Sequence, residues 1–216
     1  MAHTQGARQA ELPEDWETLL DVEKGARKPF VVLMMASLEP RKRHLQLLEQ
    51  LPPLIAAYPE TRIVFAGEGR LRDEIRAKAD VLGIGPSVKL AGYRRDPERL
   101  IALSDISILS SGQEGLPRCI LQSIVGGRPT VAFDLPGLEA VISTGDNGLI
   151  VPMDDWIAFG RALMQLAGDA DLRVSMAAAA KASDLSNWDW RRMGPRTDAF
   201  YEQILSARGS RTRAIA

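Results

Sequence analysis

The stretch Asp105-Ile-Ser-Ile-Leu109, followed by Ser110-Ser-Gly-Gln-Glu-Gly-Leu-Pro117 and then Arg118-Cys-Ile-Leu-Gln-Ser-Ile-Val125, decides the fold. Its first five residues hold β-branched Ile106 and Ile108 with Leu109, and carry a charge only at Asp105 where they begin, which reads as a strand buried on both faces. The next eight are polar, with Gly112 and Gly115 freeing the backbone for close approach to a ligand. Pro117 suits the first position of a helix, expected over 117–126. At 100° per residue that helix puts Ile120, Leu121, Ile124 and Val125 on one arc, and Arg118, Cys119, Gln122 and Ser123 on the other. Gln122 is thus expected to face away from the core. A strand end, a glycine loop and a helix N-terminus together offer free N–H groups to a phosphate. Glu114, in the loop, repels phosphate oxygens but accepts well from hydroxyls. A ligand with both phosphates and hydroxyls, such as a nucleotide-sugar, fits this combination.

The same alternation extends in both directions. Further strands are expected at 30–36 (FVVLMMA), 62–66 (RIVFA), 88–90 and 130–133 (TVAF). Helices are expected at 42–58, 70–82, 96–104, 155–167, 169–183 and 189–206, with a kink or break at Pro52 and Pro53. A short helix within residues 11–22 would precede the first strand. Strand–helix alternation predicts an α/β, doubly wound parallel sheet, with ligands beyond the carboxyl ends of the strands. The expected organisation is an N-terminal extension, partly flexible, over 1–28; the sheet domain over 29–187; a C-terminal helix over 188–206; and a flexible tail over 207–216.

Each strand end carries candidate site residues. After the first come Arg41, Lys42 and Arg43, cations that would oppose a helix dipole unless an anion joins them. Phosphate binding by Lys42 and a solvated basic turn are both open on this ground alone. After the second strand, Gly67-Glu68-Gly69 fails the dinucleotide fingerprint, because Arg72 stands at the sixth position. The glycines suit a tight turn and a close backbone approach. After the third, Gly92 and Tyr93 could border a flat base, or simply lead into a helix opened by Asp96 and Pro97.

Composition narrows the classes. With 216 residues, 45% hydrophobic and a net charge of −1, the chain can bury a sizeable core and has no electrostatic demand for nucleic acid. Its one cysteine, Cys119, excludes an internal disulfide and reads as an inert packing residue, with no histidine nearby in sequence. The two histidines, His3 and His44, do not make a metal site. No apolar run reaches the roughly 20 residues that span a bilayer, and residues 1–10 lack a signal-peptide core. The arginines at 208, 211 and 213 read as a solvated end.

Five segments in order, LEPRKRH (38–44), FAGEGRLRDEI (65–75), LAGYRRD (90–96), SDISILSSGQEGLPRCILQSIVGGRPTVAFDLPG (104–137) and GDNGLIVP (145–152), carry a resemblance. The chain resembles, from about 30 to 205, the C-terminal, donor-binding domain of GT-B glycosyltransferases of the large retaining family 4. The resemblance implies one Rossmann-like half of a GT-B architecture. It implies that Glu114 binds hydroxyls of the donor sugar and that Lys42 binds the pyrophosphate, with Gly115, Leu116 and Pro117 as backbone beside the sugar and pyrophosphate. Gly67, Gly92 and Tyr93 complete the expected binding set.

Two positions depart from the family pattern. Gln122 stands where a carboxylate usually holds the ribose, and Ser37 stands where a second cation is usual; Arg41 or Arg43 is the expected substitute. The resemblance implies no cofactor and no metal, a UDP- or GDP-sugar as substrate, and a glycan or lipid-linked acceptor held by a missing N-terminal domain or a partner chain. It implies a cytoplasmic protein, with peripheral contact at the inner face of a membrane as an option. The alternatives are a catalytically degenerate binding or scaffold module and, less favoured, a nucleotide-sugar epimerase.

Overall fold

The computed structural model describes residues 10–115, 117–188 and 190–213. Residues 1–9 of the expected extension, residues 214–216 of the expected tail, and Leu116 of the candidate loop lie outside the described residues. Contacts divide the chain into a body that ends at Ser183 and a C-terminal unit from Asp184.

The body is built on a six-stranded sheet. Its strands are β1 (Val31–Met35), β2 (Arg62–Ala66), β3 (Val88–Gly92), β4 (Ile106–Leu109), β5 (Thr130–Phe133) and β6 (Gly148–Val151). Spatial order is β3-β2-β1-β4-β5-β6, and every pairing is parallel. The chain winds outward from β1 to β3 on one side and from β4 to β6 on the other. The switch point of the winding thus lies between β1 and β4.

Parallel strands joined by helices need both faces covered, and alternate side chains show how this is done. Val32, Met34, Ile63, Phe65, Ile106, Ile108, Val131 and Phe133 point to one face. There they meet α2 (His44–Leu48), α3 (Pro52–Ala57), α4 (Arg72–Val81) and α7 (Trp156–Gly168), through Leu47, Leu54, Ile75 and Phe159. Val31, Leu33 and Val64 point to the other face and meet α1 (Trp16–Leu20) through Leu20 and α5 (Pro97–Leu103) through Leu100, Ile101 and Leu103. The segment 10–28 is thus part of the packed body from α1 onward, with Trp16, Leu19 and Val22 lying on this second core.

Helix α6 (Arg118–Val125) buries Ile120, Ser123 and Ile124. Ser123 was expected on the polar arc, but its hydroxyl donates to Ser107 Oγ of β4 at 2.9 Å, and that bond satisfies it in the core. Leu121 and Val125, expected on the apolar arc, are only half-buried. The long helix expected over 42–58 is broken as the prolines require, Pro52 and Pro53 opening a new helix. β6 is an addition to the expected strands. It lies at the sheet edge, begins with Gly148, and its apolar part is the three residues Leu149 to Val151, cut off by Pro152.

After α8 (Ala170–Ala182), the C-terminal unit holds α9 (Trp190–Arg213), with Pro195 inside it. The helix runs through the part of the expected tail up to Arg213. Ala207, Arg208 and Arg211 are strong helix formers, and no proline follows Pro195 to stop them. Among the described residues no helix is long and apolar enough to cross a membrane.

Candidate functional site

The strand-end loops are bonded to one another through their main chains. Ala36 N–H donates to Ala66 O at 3.0 Å, Leu38 N–H to Glu68 O at 2.9 Å, and Leu71 N–H to Leu38 O at 3.1 Å. This brings the 67–69 loop hard against the 36–38 loop. A Cβ on Gly67 would collide with the Ala36 carbonyl and stand 2.8 Å from its carbon; one on Gly69 would stand 2.6 Å from the Leu38 carbonyl carbon. The two glycines are required by the contact between loops. Gly92 is different: it has open space around it, and its φ of +66° is what favours glycine there.

The loop after β4 is bonded to the loop after β1 in the same manner. Gly112 N–H donates to Arg41 O at 3.0 Å, and the buried Ser110 hydroxyl donates to Lys42 O at 2.8 Å. A short 3-10 turn, Pro40–Lys42, then presents Lys42, whose ammonium pairs with the Glu114 carboxylate. Both side chains are nearly buried, 9% and 11% exposed, so each neutralises the other where little water reaches. Arg41 Nη1 lies 3.7 Å from the other Glu114 oxygen but is 58% exposed. Arg43 adopts the left-handed conformation, with φ +58°, and its guanidinium pairs with Asp154 while covering Gly112. Of the two arginines expected to replace the missing cation, only Arg41 stands beside Glu114.

Beyond the ends of β1, β2 and β3, against the outer side of α6, lies a cleft of about 430 Å³. Ser37, Gly67, Glu68, Tyr93, Cys119 and Gln122 line it. Gln122 does face out of the core, as the helical projection expects, and Tyr93 is 69% exposed at its rim. Cys119 connects the cleft to the ion pair, for it lines the one and feels the charges of both Lys42 and Glu114. Burial pushes its thiol up to about 11, so it is no nucleophile at neutral pH. Pro117 is extended at the N-cap, one position before the helix proper, and no side chain caps α6. The Pro117 carbonyl takes the Ile120 and Leu121 N–H groups, at 3.0 and 3.4 Å, which leaves those of Arg118 and Cys119 ahead of them without a helical acceptor.

The structure thus brings Gly67, Tyr93 and Gln122 to the cleft, with Gly92 just behind Tyr93, and joins Lys42 to Glu114 beside it. Gly115 and Pro117 form the approach to α6. Two contributors escape sequence reasoning. Ser110 fixes the Lys42 carbonyl, which only the folded pairing of distant loops reveals. Arg94 lines the cleft with its guanidinium clamped between Asp15, at 2.6 and 2.9 Å, and Asp96, at 2.8 Å on both oxygens. The two carboxylates hold its pKa above the ordinary arginine value, and the arginine holds both of theirs below the usual carboxylate range. The tandem Arg94-Arg95 before Asp96 was the only available signal.

The sequence pattern of the family described as glycosyl transferases group 1 matches residues 17–183, which takes in the whole sheet and both sides of the cleft. The chain belongs to the group 1 glycosyltransferases. Among its relatives in this family, the lipopolysaccharide core biosynthesis glycosyltransferase LpsE of Rhizobium meliloti (strain 1021) is 32% identical over 147 residues, covering 68% of this chain and 42% of that protein. A phosphatidyl-myo-inositol mannosyltransferase of Mycolicibacterium smegmatis is 29% identical over 173 residues, covering 78% of this chain and 44% of that protein. This chain therefore spans less than half the length of either relative. Anabaena Alr3699/HepE, solved in complex with UDP, superposes with a TM-score of 0.71 at 22% identity, over 90% of this chain and 53% of that one. WaaG, a glycosyltransferase involved in lipopolysaccharide biosynthesis, gives 0.69 at 20% identity, over 84% and 51%. The fold is accordingly a Rossmann-like sheet that matches about one half of a GT-B glycosyltransferase.

Proposed function

We propose that this chain is the donor-binding half of a retaining glycosyltransferase that uses a nucleoside diphosphate sugar, with UDP- or GDP-sugars as the candidate donors. The observation that carries the reading is the Lys42–Glu114 pair beside a cleft at the sheet's switch point. The pair sets an ammonium, which a phosphate can claim, against a carboxylate, which hydroxyls can satisfy. The cleft takes the nucleoside, with Tyr93 at its rim and Gln122 accepting from the ribose. Lys42 and the N–H groups at the start of α6 neutralise the diphosphate as it departs from the anomeric carbon, so no metal is required. Glu114 orients the sugar through its hydroxyls. The acceptor, a glycan or lipid-linked sugar, is held by a further domain or a partner chain, in keeping with the length of the relatives.

Calorimetric titration with UDP- and GDP-sugars tests this. Binding by the wild type, weakened about 10- to 100-fold in Lys42→Ala, is the expected result. Absence of binding for every nucleotide at millimolar concentration sinks the reading. A degenerate binding module is the second reading, favoured by the uncharged Ser37 and Gln122 in the cleft lining. Gln122→Glu separates the two, since a restored charged acceptor for ribose strengthens binding in a donor site and does nothing in a module with another partner.

A further inference from the structure

Lys42 and Glu114 satisfy one another in the ligand-free protein, so a phosphate that draws the ammonium to itself shares its donors and weakens the partner on which Glu114 relies. What that partner is depends on the ligand. Phosphate oxygens only accept hydrogen bonds, and so does a carboxylate. The diphosphate end of a bare nucleoside diphosphate therefore offers Glu114 no donor, its ribose hydroxyls lying back at Gln122, and it sets a second anion beside the carboxylate. Its terminal phosphate also carries more negative charge at neutral pH than the same phosphate esterified to a sugar. The sugar ester, in contrast, brings hydroxyl donors to the carboxylate at the same moment that its phosphate takes the ammonium.

The surroundings leave Glu114 little other relief. It is 11% exposed, and water cannot replace the lost ammonium fully. Arg41 is 3.7 Å away but 58% exposed, and a solvent-screened charge compensates weakly. The main chain holding Lys42 is fixed on both sides, by Ser110 Oγ on the Lys42 carbonyl and by Gly112 N–H on the Arg41 carbonyl. The exchange of partners is consequently made by the two side chains alone.

We propose that Glu114 is a discriminating residue: it makes the site prefer an intact nucleoside diphosphate sugar over the bare nucleoside diphosphate. The inference rests on the donor-binding reading above and adds a role for its carboxylate beyond sugar orientation. Once the sugar has been transferred, the same carboxylate faces a more highly charged product whose phosphate end has no hydroxyl to offer it, and it drives that product out.

The test is a two-ligand calorimetric comparison at pH 7.5 on the 216-residue chain. UDP is set against UDP-glucose and GDP against GDP-mannose, for wild type, Glu114→Gln and the charge-keeping Glu114→Asp, each checked for folding by circular dichroism. Glu114→Gln is expected to tighten the bare diphosphate by about tenfold while failing to tighten the sugar ester, so the ratio of the two Kd values shifts by about tenfold or more. Glu114→Asp is expected to leave the diphosphate within about threefold of wild type. Equal shifts for both ligands in Glu114→Gln, or a weakened diphosphate, overturn the inference. Equal tightening of the diphosphate by Gln and Asp overturns it as well, because charge is then not the cause. A wild type that binds neither kind of ligand instead brings down the donor-binding reading, a separable outcome.

Discussion

His44 is buried completely, with its ring edge-on to Phe65 at a centroid distance of 5.0 Å, and neither ring nitrogen has a hydrogen-bond partner. Burial, helped by the charge of Lys42, pulls its pKa from 6.5 down to about 4. The folded state thus keeps a neutral ring while the unfolded chain protonates below about 6.5. Stability is full above that pH and is lost as pH falls from 6.5 towards 4. At pH 5 the loss from this residue is about 2 kcal/mol relative to pH 7.5. Chemical denaturation at the two pH values should show that His44→Leu removes this part of the acid sensitivity. Cys119 gives a second residue-scale expectation. With its thiol at about 11, alkylation by iodoacetamide at pH 7.5 should run about a hundredfold slower than in the urea-unfolded chain. The inertness of Cys119 was legible from the lack of a neighbouring histidine, but its place in the cleft wall was not. Nor was the pairing of Lys42 with Glu114, since 72 residues separate them. Their identities came from a motif, and their contact required the fold.

At the level of elements, the strands buried on both faces were readable because they are nearly unbroken apolar runs. β1, β2, β4 and β5 fall within a residue of the expected bounds, and β3 runs two residues further. β6 was missed because its three apolar residues are hemmed between Gly148, after the 143–147 turn, and Pro152, and so read as part of a loop. The turn before it is held by buried Asn147, whose side-chain oxygen accepts from Ser143 N–H at 2.9 Å and whose amide donates to Val141 O and Ser183 Oγ. Such a polar staple has no periodicity to announce it. The junction of the 36–38 and 67–69 loops makes its own prediction. Gly67→Ala forces a methyl group into the Ala36 carbonyl, and no flexible side chain can yield. A loss of about 2–4 kcal/mol is expected by thermal denaturation. Gly92→Ala meets open space and is strained by its φ alone, so a smaller loss of about 1 kcal/mol is expected there.

Across the whole body, the alternation of strand and helix was enough to foresee a doubly wound sheet, because parallel strands need crossover helices and each needs a covered face. What it did not foresee is how the segment before β1 joins the site. Helix α1 lies on the second core through Leu20, and Asp15 ahead of it grips Arg94 in the cleft wall. Arg94→Ala removes both carboxylates' partner. Hydrogen exchange over residues 13–22 should rise, with global stability falling by about 1–2 kcal/mol, a modest figure because Asp15 is 52% exposed. The main-chain bonds that bind the strand-end loops together have a longer consequence. The cleft floor is held by bonds between amides and carbonyls, with glycine demanded at 67 and 69, and the side chains that face the cleft take no part in it. Ser37, Tyr93 and Gln122 stand on that floor without supporting it. A lineage can therefore exchange them, and with them, on the donor-binding reading proposed above, the nucleoside or sugar accepted, while the ground on which new preferences are tried stays where it was.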